Sequence, residues 1–221
     1  MDARRYRGDE MVKLFVEGGG DAASLRSACR EGFSSFIEKA GLKGRMPRIV
    51  ACGGREDAFD SFCTALANGE IAMLLVDSEA PVAAAVQADK DQQKWLPWLH
   101  LNQRQGDEWE RPAGADDLQC HLMTQCMESW LLADRGVLKS FFGQGFKENQ
   151  LPAAANPVET IAKAQIYKSF ADATRDCKTK AQYGKGEHSF KLLALVDPGK
   201  VMDASPWASR FVEAIKARMG A

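Results

Sequence analysis

The sequence lacks the features that mark several large classes of protein. It has no apolar stretch approaching the roughly 20 residues that a membrane-spanning helix needs, and the basic residues 1–7 precede no apolar run of secretory length. We therefore expect a cytoplasmic protein without membrane association, in which residues 1–7 form a short arm before the first strand. The formal net charge is only −1, so any nucleic acid would have to be bound by a local basic patch or with the help of a partner.

The cysteines lack the spacing of a zinc site. None of them forms a Cys-x-x-Cys pair or has a histidine paired with it nearby. We expect free thiols, mostly buried, in a reducing compartment. The six are Cys29, Cys52, Cys63, Cys120, Cys126 and Cys177.

The first third of the chain alternates short apolar runs with amphipathic segments. The 221 residues are 45% hydrophobic and 27% charged, as in an ordinary globular protein. Alternating strands and helices favour parallel strand pairing with right-handed crossovers. The predicted strands cover residues 12–16, 48–52 and 71–76, and the predicted helices cover 21–40 and 56–67.

Acidic residues follow the first and third of these strands. Glu17 leads directly into three glycines, and Asp77 and Glu79 leave the third strand two residues apart. The carboxyl ends of adjacent parallel strands share one crevice, where ligands bind. Carboxylates gathered there would repel one another unless a hard cation neutralised them, and Mg²⁺ prefers oxygen ligands. Each motif also has a structural explanation, since the glycines could form a tight turn and Asp77-Ser-Glu79 could begin a helix.

The order of these elements is more informative than either motif alone. The first strand ends in a glutamate and a glycine-rich turn. A helix, a strand, a helix and a strand ending in Asp-x-Glu follow. This order resembles the Toprim superfamily of primases, topoisomerases and nucleases. The resemblance implies that Glu17 acts in acid–base chemistry and that Asp77 and Glu79 hold Mg²⁺ or Mn²⁺. Asp21 is a further candidate ligand, although it could instead cap the following helix.

Residues 81–117 break the alternation. This segment is long for a loop in a compact domain, and such segments are often functional lids. Its tryptophans, Trp95, Trp98 and Trp109, could stack on bases. The alternative, which we weight more heavily, is that they anchor an irregular loop to the core.

Regular structure is predicted again from residue 121. Residues 121–127 are typical of a fourth strand and residues 129–142 of a helix, which places Glu128 at a strand-to-helix junction. A first-turn glutamate favoured by the helix dipole explains Glu128 equally well. The pattern also resembles the Toprim nucleases related to the overcoming-lysogenization-defect proteins, and a small bacterial family often encoded beside an ATPase in defence gene clusters. That resemblance implies that Glu128 belongs to the metal site.

A lysine-rich stretch at residues 178–191 precedes the last apolar run. Lys185 lies between two glycines and could reach a phosphate, but the spacing of a phosphate-binding P-loop is missing. A solvated, charged loop is the alternative. The related nucleases carry a late lysine near the metal, and the resemblance leaves Lys185 and Lys191 as candidates for that catalytic role.

We therefore predict an α/β fold with a Toprim-like (Rossmann-like), mainly parallel sheet of about four strands flanked by helices. Residues 1–143 would form the metal-binding domain, with an irregular insertion around 81–117. Residues 144–221 would form a mostly helical part on the same core, ending in a helix that begins near residue 203.

Three functions from different classes remain open. The first is a metal-dependent phosphodiesterase acting on DNA or RNA, with Glu17 as general acid or base. Within the resemblance, it would be the effector of a bacterial defence system and would work with an ATPase partner. The second is a non-catalytic subunit that binds metal or nucleotide, and the third is a hydrolase of a small phosphorylated metabolite.

Overall fold

The computed structural model describes residues 11–220, and within that range the chain forms a four-stranded, all-parallel sheet flanked by helices. The strands are β1 (Lys13–Val16), β2 (Arg48–Ala51), β3 (Ala72–Asp77) and β4 (Cys120–Met123), in the order β2-β1-β3-β4. The predicted α/β class and mainly parallel sheet are therefore confirmed. The arm predicted for residues 1–7 lies outside the described residues.

The strands form because their side chains are apolar on both faces, as a sheet covered on both sides requires. Leu14 and Val16 of β1 point into one core, while Phe15 between them points into the other. All six residues of β3 are buried. The central strands β1 and β3 are thus fixed from both sides, which makes the loops at their carboxyl ends a rigid base for a site.

The first two helices cover opposite faces of the sheet. Helix α1 (Ala23–Ile37) contributes to the first core, and α2 (Arg55–Ala67) contributes to the second. The predicted helix over 21–40 is too long at both ends. It begins after Ala22, without a side-chain cap, and it gives way to a π-helical turn (Glu38–Leu42) in which Gly41 has a φ of 106°.

The segment at 81–117 is more ordered than an extended loop. It contains short 3₁₀ turns and helix α3 (Pro97–Gln103). Trp95, Trp98 and Trp109 are each at most 9% exposed and belong to the second core. Their anchoring role is the alternative that the structure supports, and a role as an open stacking platform for bases is wrong for this conformation.

The prediction for residues 121–142 needs two corrections. Strand β4 ends at Met123 rather than at 127, and the single helix predicted for 129–142 is two helices, α4 (Glu128–Leu132) and α5 (Arg135–Phe142). The break lies at Asp134, whose side chain accepts a hydrogen bond from the backbone N–H of Val137 and so starts a new helix.

The C-terminal part is helical and packs on the same sheet. It comprises α6 (Lys163–Thr174), α7 (Ser189–Leu195), α8 (Pro198–Ala204) and α9 (Pro206–Met219). Helix α9 packs against β4, and α7 packs closely against α1. Gly32 permits the second contact, because a Cβ there would lie 2.7 Å from the carbonyl oxygen of Phe190. A final helix was predicted, and it begins where Ser205 accepts a hydrogen bond from the N–H of Ala208.

Candidate metal centre

Three carboxylates converge at the carboxyl edge of the sheet. Glu17 follows β1, Asp77 ends β3, and Glu79 lies two residues further on. The adjacency of β1 and β3, with Val16 opposite Leu75, brings the first two together. One oxygen of each carboxylate lies within 4.8 Å of one oxygen of the other two. The prediction that these three side chains would gather at the carboxyl edge of the sheet is confirmed.

The backbone after β3 turns so that Glu79 joins the group. Glu79 has a φ of 62°, a left-handed conformation that non-glycine residues rarely adopt. Two backbone hydrogen bonds hold this turn: Ser78 N–H donates to the carbonyl oxygen of Met123 at the end of β4 (3.0 Å), and Glu79 N–H donates to that of Gln125 just beyond it (2.9 Å). Strain of this kind is found where surrounding structure fixes a functional geometry.

Glu17 is held on one oxygen by two donors. Its Oε2 accepts from the backbone N–H of Asp77 (3.1 Å) and from Nη1 of Arg55 (3.2 Å). Burial raises the pKa of Glu17, and the Arg55 guanidinium offsets part of that rise. With Oε2 occupied, Oε1 is the oxygen that this geometry leaves for a further ligand.

Asp77 is the most deeply buried of the three. Its side chain is 5% exposed, and its Oδ1 accepts from the backbone N–H of Met127 (2.8 Å). Burial, and next the carboxylate of Glu17, raise the pKa of Asp77 to about 7, although Lys163 opposes the rise. The positive charge of Lys163 therefore compensates only part of the cost of burying this carboxylate beside another acid, and such carboxylates are common in functional sites.

Lys163, the first residue of α6, is the cation nearest to these acids. Its Nζ lies 3.0 Å from Oδ2 of Asp77 and 2.5 Å from Oε1 of Glu79. Burial alone would lower the pKa of Lys163, but the two carboxylates outweigh it and raise that pKa. The ammonium thus bridges two of the three acids, in the position that a metal ion bound to the same two acids would take.

Glu128 lies beside the three acids but is bound differently. It is 1% exposed at the start of α4, and its two oxygens accept from the hydroxyls of Tyr167 (3.1 Å) and Tyr183 (3.0 Å). The negative charge of Glu128 contributes to the raised pKa of Asp77. Glu128 therefore adds negative charge to the site, while its own oxygens are engaged by the two tyrosines.

A cavity of about 300 Å³ opens over this edge of the sheet. Four charged residues line it, namely Glu17, Asp77, Glu128 and Lys185. The Nζ of Lys185 lies 5.5 Å from the centre of the Tyr167 ring. The remaining lining consists of glycines, three apolar residues and one serine, namely Gly18, Gly19, Gly20, Leu25, Gly53, Met127, Gly186, Ser189 and Phe190.

The other two predicted site residues lie elsewhere. Asp21 is exposed and is not part of the three-carboxylate group; it does not cap α1 either, since Ala22 occupies that position. Lys191 is not in a loop, as predicted, but on α7, where it is exposed and does not line the cavity.

The three acids fit a small divalent cation. With metal–oxygen bonds of about 2.1 Å, ligands on opposite sides of Mg²⁺ are about 4.2 Å apart, and one oxygen each of Glu17, Asp77 and Glu79 already lies within 4.8 Å of the other two. Their donors are oxygens, which hard cations prefer, and no cysteine among residues 11–220 joins them. A metal ion here would use these three residues.

Arg55 and Lys163 are site residues that were not predicted from the sequence. Arg55 had a usable signal, because it follows Gly53-Gly54 at the carboxyl end of β2, the strand next to β1. Lys163 had none, because it lies more than 80 residues from both acids that it contacts.

The fold and the site define an α/β protein with a carboxylate cluster at the carboxyl edge of a parallel sheet. Residues 16–216 match the family described as "Domain of unknown function (DUF4276)", and the chain belongs to that family. Comparisons with curated proteins and with solved structures give no match. No helix among residues 11–220 is both long and apolar enough to cross a membrane.

Proposed function

We propose that this protein is a metal-dependent phosphodiester hydrolase that cleaves DNA or RNA, with Mg²⁺ or Mn²⁺ as its cofactor. The convergence of Glu17, Asp77 and Glu79 beside a cavity carries the proposal. The order of these acids along the chain, which resembles the Toprim superfamily, supports phosphodiester chemistry over other uses of a metal.

Each residue at the site has a role in this proposal. Asp77 and Glu79 are ligands, and a cation bound to them would stabilise negative charge on the phosphate and make a water more acidic. Glu17 would help to hold the cation and would act as general acid or base. Lys185, which lines the cavity, would bind a phosphate oxygen, and so would Lys163 if a cation held the acids in its place.

The charge of the chain favours a partner. A net charge of −1 gives little general attraction for a polyanion. We therefore propose that the protein acts as an effector within a complex, in which an ATPase encoded with it restrains the active site or delivers the substrate. The resemblance to proteins of bacterial defence clusters supports this assignment.

Cleavage assays on matched variants test the proposal. Supercoiled plasmid and structured RNA are incubated with Mg²⁺ or Mn²⁺, with the chain alone and with the neighbouring ATPase. We expect cleavage by the wild type and its loss in Glu17→Gln and Asp77→Asn. Glu70→Gln is the control, because Glu70 pairs with Lys13 away from the cavity. Equal cleavage by all four proteins would contradict the proposal.

The size of the cavity favours a second candidate, a hydrolase of a small phosphorylated molecule. About 300 Å³ is at the lower end of small-molecule pockets. Nucleotides and sugar phosphates in the same assay separate the two functions. Metal-dependent release of phosphate from one of them, without cleavage of either polymer, would replace the first candidate by the second.

A further inference from the structure

Arg55 links the candidate metal centre to the segment at 81–117. On one side, its Nη1 donates to Oε2 of Glu17 (3.2 Å) and to the carbonyl oxygen of Asp77 (2.6 Å). On the other side, Nε and Nη2 donate to the two carboxylate oxygens of Asp107, each at 2.7 Å. A two-pronged pair of this kind fixes the orientation of the guanidinium plane as well as its position.

Asp107 is built into the protein interior. Its side chain is 1% exposed, and it also pairs with Nη1 of Arg104 at 2.8 Å. Trp109 supports the same guanidinium, whose central carbon lies 5.0 Å from the ring centre. Trp109 in turn stacks on Phe59 of α2, with ring centres 4.3 Å apart and planes 4° from parallel. The guanidinium is thus held by a buried acid and by an aromatic face.

This arrangement determines which oxygen Glu17 can offer. Because Arg55 and the N–H of Asp77 both occupy Oε2 of Glu17, rotation of that carboxylate would break both hydrogen bonds. Replacing a residue that orients a metal ligand in this way commonly weakens metal binding about 10–100-fold.

We propose that Arg55 and Asp107 are positioning residues of the metal centre: Asp107 fixes Arg55, and Arg55 fixes Glu17. The inference rests on the proposed metal-dependent function. It makes the turn that carries Asp107 a structural part of the site, so that a partner bound to this turn could alter the presentation of Glu17 to a metal.

Because Arg55 is positively charged, the competing explanations predict different changes in metal affinity when it is replaced. As a mere positive charge beside a cation site, Arg55 would weaken metal binding, and its removal would strengthen it. As a positioning residue, its removal would weaken binding. A purely structural tie between α2 and the 81–117 segment would lower the melting temperature and leave the affinity of the folded protein unchanged.

The experiment measures the affinity of the full chain for Mn²⁺ alone, by electron paramagnetic resonance at a temperature where circular dichroism shows each variant folded. We expect Arg55→Gln and Asp107→Asn each to bind Mn²⁺ about tenfold more weakly or worse. Arg55→Lys should recover only part of the loss, since lysine keeps the charge without the two-pronged geometry. Arg111→Gln is the matched control, since Arg111 lies in the same segment but pairs with Asp117 rather than with Asp107, and we expect its affinity to stay close to that of the wild type.

A double variant tests whether Asp107 acts on the metal centre through Arg55. If Asp107 acts through Arg55, adding Asp107→Asn to Arg55→Gln should cause no further loss of affinity. Unchanged or tighter Mn²⁺ binding by Arg55→Gln would overturn the inference, as would fully additive losses. If Arg55→Gln does not fold, Arg55→Lys and Asp107→Asn decide, and wild-type affinity in both overturns it. Failure of the wild type itself to bind Mn²⁺ would instead overturn the proposed function.

Discussion

Replacing Lys163 is the most discriminating test of the candidate site, because its ammonium occupies the place of the metal ion that we propose. Its ammonium bridges Asp77 and Glu79 at 3.0 and 2.5 Å. A divalent cation bound to the same acids would have to displace it. Replacing it by methionine, which is of similar length and uncharged, should therefore raise the affinity for Mn²⁺.

The structure sets the size of the effect. Two hydrogen bonds between charged groups must be given up; each would be worth roughly 1.5–3 kcal/mol net of hydration if fully buried, and less here because the Lys163 side chain is 20% exposed. A net gain of about 1–3 kcal/mol corresponds to binding tighter by roughly five- to 150-fold. Without metal, Lys163→Met should unfold more readily than the wild type, because Asp77 would lose its buried partner.

Urea unfolding with and without MnCl₂ measures both effects. The variant should be less stable than the wild type without metal and should gain more stability when metal is added. Lys168→Met is the matched control, because Lys168 lies on the same helix and pairs with Asp172 rather than with the cluster. The reasoning is refuted if Lys163→Met binds Mn²⁺ no more tightly than the wild type, or if Lys168→Met changes binding as much.

Three further outcomes follow from the described contacts. Asp77→Asn and Glu79→Gln should remain folded without metal but lose most of the stabilisation by Mn²⁺, as thermal melts would show; equal stabilisation of wild type and variants would count against the site. Burial alone would raise the pKa of Asp134, but hydrogen bonds, first that from Lys200, lower it below its ordinary 3.8. Asp134 therefore stabilises the fold above about pH 3.8 and loses that effect as the pH falls through its lowered pKa. In urea unfolding, Asp134→Asn should lower the free energy of unfolding by about 1 kcal/mol at pH 7 and by less at about pH 3. Gly19→Ala should destabilise the protein by about 1–3 kcal/mol, because Gly19 has a φ of 90° and its Cβ would lie 2.8 Å from the backbone of α1; an unchanged melting temperature would contradict this.

The strands and their terminal acids could be predicted because they depend on local patterns. A strand buried on both faces is a continuous apolar run, as in β3, and the positions of Glu17 and Asp77 follow from where such runs end. Their proximity also requires β1 and β3 to lie side by side in the sheet, as they do in the order β2-β1-β3-β4. Sequence patterns also located α2 within one residue.

The charged partners of the site could not be predicted in the same way. Lys163 reaches Asp77 only through the packing of α6, and Asp107 reaches Arg55 across 52 residues. Such contacts depend on how distant elements pack, which no local pattern encodes. The break at Asp134 was missed for a different reason, because a side-chain cap overrode an apolar pattern that continues through it.

Anomalous scattering from crystals grown with MnCl₂ tests the central claim most directly. The account predicts one strong manganese peak about 2.1 Å from carboxylate oxygens of Glu17, Asp77 and Glu79, with the Nζ of Lys163 moved away from the two acids that it now bridges. Fully ordered carboxylates with Lys163 still between Asp77 and Glu79, and no manganese peak at the cluster, would contradict it.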